Sequence, residues 1–145
     1  MLAILFTPMA ALAQATTATT HFSFSFSHPD VNPCTGATGT LTENLKGVAH
    51  VTELASGKVH EATTVTETFT FVPDDPSQPT YTGKATFRNS VNFNTKTFTA
   101  TFTGHINARG SDGSRITEHF VAHITVHLRG TVRVEFFKDR LSCPS

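Results

Sequence analysis

The chain has 145 residues, one domain's worth, with 11 Lys and Arg balanced by 11 Asp and Glu. The totals imply no basic face, which argues against a nucleic-acid binder held by phosphate contacts. A hydrophobic fraction of 38% with 13 Phe can build a core, which argues against disorder, and abundant Thr and Phe favour strands.

Residues 2–13 (L-A-I-L-F-T-P-M-A-A-L-A) form an uncharged apolar run, too short for a membrane span of about 20 residues. The run ends in the small-x-small pattern Ala11-Leu12-Ala13, so residues 1–13 read as a signal peptide, although the positively charged start is missing. Residues 14–20 (Q-A-T-T-A-T-T) read as a flexible leader and residues 21–145 as the mature β-domain. No other segment is apolar enough to cross a membrane, so a secreted protein is expected.

From residue 20 the apolar residues recur with period two, not 3.6. Strands are expected at 20–28, 40–54, 59–72, 80–93, 98–108, 116–126 and 131–138, with no helix. Residues 98–108 place Phe98, Ala100, Phe102, Gly104, Ile106 and Ala108 on one face. Residues 116–126 do the same with Ile116, Phe120, Ala122, Ile124 and Val126. Continuing that parity, even-numbered residues as far as Phe136 should face the interior.

The turns set the register. Ala55-Ser56-Gly57, Ser111-Asp112-Gly113 and Leu128-Arg129-Gly130 read as three-residue hairpin loops whose last residue takes positive φ. The second sets Gly104 opposite Phe120, Phe102 opposite Ala122 and His105 opposite His119. The third sets Val126 opposite Val132, Ala122 opposite Phe136, His123 opposite Glu135 and His119 opposite Asp139. The first sets Leu41 opposite Phe71, and a turn at Thr95-Lys96 sets Phe87 opposite Gly104. A one-residue slip would throw each apolar set into water. Val72–Pro79 reads as a Pro-stiffened loop. The expected fold is all-β, an antiparallel up-and-down barrel of seven or eight long strands, with a sandwich as the alternative.

Cys34 and Cys143 lie near the two ends of this strand region, so one bridge would close a loop of over a hundred residues. With no C-x-x-C, neither a thioredoxin-like site nor a zinc knuckle is suggested. The opening Asn32-Pro33-Cys34-Thr35-Gly36, the segment Val48-Ala49-His50-Val51, the His-rich strand His119–Val126 and the closing Cys143 resemble small exported bacterial proteins of unknown function. That resemblance implies secretion and a disulfide, and no activity. In architecture the chain is similar to lipocalin-type and allene-oxide-cyclase-type barrels, a likeness that carries no site.

Eight His are the unusual feature. His119, His123 and His127 would lie about 13–14 Å apart in succession along a strand, too far to share an ion. The expected registers instead gather His105, His119 and Asp139, a two-His, one-carboxylate set of the kind that binds a transition metal. The alternative is a solvated polar face, with a pH response from eight His as a further option. No nucleophile elbow, calcium loop, phosphate loop or cofactor motif is present. Phe87, Phe98, Phe102, Phe120 and Phe136 would line the interior, as a solid core or as the wall of a cavity for a small apolar ligand. Three functions follow: binding of such a ligand or of a surface protein without catalysis, a cyclase-like enzyme using the inward carboxylate Glu118, or a structural envelope component.

Overall fold

The computed structural model describes residues 14–127 and 131–144, with the side chains of 133–135 left aside. The signal-peptide segment and the Leu128-Arg129-Gly130 turn lie outside the described residues. Seven strands follow one another: β1 (Thr16–Val31), β2 (Thr38–Glu53), β3 (Val59–Pro73), β4 (Tyr81–Phe93), β5 (Thr97–Gly110), β6 (Arg115–His127) and β7 (Thr131–Ser142). Each pairs antiparallel with the next in one sheet of order β1 to β7. The all-β, up-and-down expectation is met, in a single layer.

The turns do what their residues dictate. Gly57 and Gly113 take φ of 74° and 88°. Leu54 N–H donates to Lys58 O, and Gly110 N–H to Ser114 O. The predicted pairs Leu41–Phe71, Phe87–Gly104, Gly104–Phe120 and His105–His119 are all in place. At Gly113 a side chain would strain the left-handed backbone. Gly113→Ala should therefore cost about 1–2 kcal/mol in urea unfolding, whereas Ser111→Ala should stay within error. Equal stability of Gly113→Ala and wild type would refute this role for the turn.

Two expectations along the chain change. β1 begins at Thr16, within the segment expected to be a flexible leader. There Thr17 and Thr19 side chains bond Thr52 and His50 across the ladder at 3.2 and 2.9 Å. In β7 the register shifts between His123 and Ile124. Val132 and Val134 oppose Val126 and Ile124 as expected, but beyond the shift Ala122 opposes Phe137, not Phe136. One extra residue in β7 reverses its parity, as a β-bulge does. The gain is chemical: Phe137 and Leu141 join the apolar face, while Lys138 and Arg140 pass to the other.

The two edge strands share no ladder among the described residues, so the sheet is not closed by hydrogen bonds. It is nevertheless curled. Flat, seven strands at about 4.8 Å spacing would hold the edges about 29 Å apart, yet Cys34, just after β1, and Cys143, just after β7, are disulfide-bonded with Cα atoms 5.4 Å apart. The bridge tethers the edges at the end where β1, β3, β5 and β7 finish. The buried cluster sits at that end: Phe71, Tyr81, Ala108 and Ile116, with Leu41, Phe69 and Cys34 against it. The concave face is open along its edge strands, where Phe24 and Phe26 on β1 and Val132 and Phe137 on β7 are exposed, as is Phe93 at the end of β4.

Candidate functional site

The N-P-C-T-G opening forms the roof over this end. Asn32 is buried, and its Oδ1 accepts from the backbone N–H of Cys34 (2.9 Å) and Thr35 (3.2 Å). Gly36 takes a φ of 73° and donates to Asn32 O. The Asn thus replaces the missing backbone partners of a tight loop, as Asx turns do, and aims Cys34 at Cys143.

Beneath the roof lies a cavity of about 230 Å³. Its apolar wall includes Leu41, Phe69, Phe71, Tyr81, Phe87, Ile106, Ala108 and Ile116, and its polar groups include Asp30, Asn32, Glu43, Glu67 and Glu118. Glu67 is 7% exposed. Its carboxyl is pushed up to about 7, first by burial and then by the Glu43 charge and hydrogen bond beside it. Two neighbouring carboxyls share a proton more readily than they both ionise. Glu43 in turn has His28 Nδ1 at 3.4 Å from its Oε2. Glu118 is half-buried, as its inward parity predicts, and burial and the Asp139 charge raise its carboxyl as well.

The sequence-predicted aromatic set divides. Phe87 lines the cavity. Phe87, Phe102 and Phe120 together line a smaller apolar hollow of about 110 Å³ further along the concave face, where the Phe87 and Phe120 rings lie 6.2 Å apart. Phe98 and Phe136 are in neither lining. Phe136 is a correction: the bulge sets it opposite His123 on the convex face, its ring stacked on that imidazole at 6.0 Å. Sequence reasoning missed Glu43, Glu67 and Tyr81 as lining residues. Glu43 opposes Phe69 and Leu45 opposes Glu67, so the two acids are diagonal neighbours on one face; the Leu41–Phe71 register already contained that pairing.

The metal set does not assemble. His105 and His119 do oppose each other, their rings 6.3 Å apart and edge-on. Asp139, however, faces Phe120 on the concave side, and Arg140 takes its expected place opposite His119. The cause is again the bulge. His123 accordingly opposes Phe136 rather than Glu135. Among the described residues no cluster of three or more His, Cys, Asp or Glu could hold a metal ion.

Strand parity and the continuous registers separate the charges by face. Asp30, Glu43, Glu53, Glu61, Glu67, Glu118 and Asp139 fall on the concave face; Lys46, Lys84, Arg88, Arg109, Arg115, Lys138 and Arg140 fall on the convex one. A chain of zero net charge thus has an acidic interior and a basic exterior. His28 is concave, and the other seven His are convex. Fold and site together define an antiparallel sheet curled and tethered by one disulfide over a small apolar, carboxyl-bearing cavity. No family model, no curated protein and no solved structure matches the chain.

Proposed function

We propose that this is an exported, non-enzymatic binding protein that holds a small apolar ligand in the cavity under the disulfide. The cavity carries the reading: a space of about 230 Å³ walled by Phe71, Tyr81, Ile106 and Ile116 at the best-packed end of the sheet. That volume equals the share of about seven or eight waters, which suits a ligand of eight to ten non-hydrogen atoms. The disulfide supports export, because such bonds persist in oxidising compartments. No helix among the described residues is long and apolar enough to cross a membrane.

Octan-1-ol should raise the melting temperature of the wild type in proportion to the logarithm of its concentration. Ile106→Trp, whose ring would occupy the space, should abolish the shift while keeping the strand signature in circular dichroism. An unchanged melting temperature at saturating octanol, or the same shift in both proteins, would refute the reading.

A second reading, docking of a surface protein, is favoured by Phe24 and Phe26 on β1 and Val132 and Phe137 on β7, exposed along the two unpaired edges.

A further inference from the structure

The cavity wall is apolar, but its ionisable groups are of one sign. Asp30, Glu43, Glu67 and Glu118 line it, and Asp139 stands next to Glu118. The strand Lys and Arg whose side chains are described lie on the opposite face of the sheet. The basic group that does reach the site is His28, at the exposed edge strand and directed at Glu43. Glu67, more than nine-tenths buried, faces the cavity with the Glu43 carboxyl as its neighbour and, among the described residues, no Lys or Arg in the cavity lining. A positive charge placed next to such a pair favours its ionised form at neutral pH. A buried carboxylate without one is costly.

Resting on the ligand-binding reading above, we propose that the cavity selects a small amphiphile with one protonated amine. The alkyl body lies against Phe71, Tyr81 and Ile116, and the ammonium sits between the carboxyls of Glu43 and Glu67. The amine brings the counter-charge that the fold keeps on its other face. Binding displaces the proton the two carboxyls share, so it releases protons near neutral pH. Glu43, Glu118, Asp30 and Tyr81 are the titratable groups that line the cavity with Glu67, with His28 beside Glu43 and Asp139 beside Glu118.

The test uses three ligands with one body: octylamine, octan-1-ol and octanoate, titrated calorimetrically into the whole protein at pH 7. Octylamine should bind one to one and at least tenfold more tightly than octanol, with octanoate weakest. Its apparent heat should differ between phosphate and Tris buffers by the protonation heat of a fraction of one proton. Glu67→Gln should bring octylamine to the affinity of octanol and remove the buffer dependence, while Glu53→Gln, on the same face outside the cavity, should change neither. Octylamine no tighter than octanol, or octylamine binding without proton release, overturns the proposal and leaves an apolar pocket. Failure of all three ligands removes the pocket reading as well. The wild-type comparison decides between these outcomes even if Glu67→Gln does not fold.

Discussion

The double variant Cys34→Ser/Cys143→Ser should lose about 4–5 kcal/mol of unfolding free energy, read from denaturant unfolding with the m-value fitted for each protein. The bridge spans 109 residues, and in the chain-entropy model closing a loop near that length removes about that much freedom from the unfolded state. The folded state sharpens the expectation. Among the described residues β1 and β7 share no ladder, so the disulfide holds the two edges together where a closing strand pair would in a complete barrel. Without it the roof loop Asn32–Gly36 loses its anchor. The octanol-dependent rise in melting temperature should disappear along with the stability. Wild type treated with reductant should match the variant. A loss under about 1 kcal/mol would mean that the edges hold together by packing, and that the unfolded-state argument does not apply here.

Glu67→Gln should stabilise the ligand-free protein at pH 8 by about 2–3 kcal/mol and leave it nearly unchanged at pH 4. The Glu67 carboxyl moves from an ordinary 4.5 to about 7 in the folded state. A raised acid binds more protons folded than unfolded between those two values. Its contribution is therefore fully present below pH 4.5, falls as pH rises, and is lost once pH passes about 7. The displacement corresponds to about 3 kcal/mol at 1.36 kcal/mol per pKa unit. Gln is isosteric, carries no charge, and its amide N–H donates to Glu43 as the protonated acid does. Wild-type stability should thus decline between pH 5 and 8 by the amount the variant does not. Parallel pH profiles for the two proteins would show that Glu67 ionises without cost. A cost of this size, kept in the fold, is what a ligand bearing a positive charge would relieve.

Legibility differed between local and distant features. The turn loops at Gly57 and Gly113 and the registers of β2 through β6 followed from residue identity, because each hairpin is local and each strand carries one apolar face. The bulge in β7 also left a trace in the sequence. The apolar residues change from even numbers (Val132, Val134) to odd ones (Phe137, Leu141), with the cations Lys138 and Arg140 taking the even places. A β7 that kept its even residues inward through Phe136 would gather His105, His119 and Asp139; the parity change separates them. The division of charge between faces was equally present in the alternation, hidden by a net charge of zero.

The amino-acid sequence by itself determined which side of the sheet the residues of β2 to β6 take, since alternation and turn geometry act over a few residues. It therefore also set an acidic apolar face against a basic, His-rich one. The pairing of Cys34 with Cys143 was legible, since the chain has two cysteines, but the curl of seven strands that brings them together was decided only in three dimensions, because it joins residues 109 apart in the chain. That closure chooses which stretch of the apolar face becomes enclosed. It turns Phe71, Tyr81 and Ile116 into a cavity wall around Glu67, while the same pattern nearer the open end leaves Phe93 and Phe102 in contact with water.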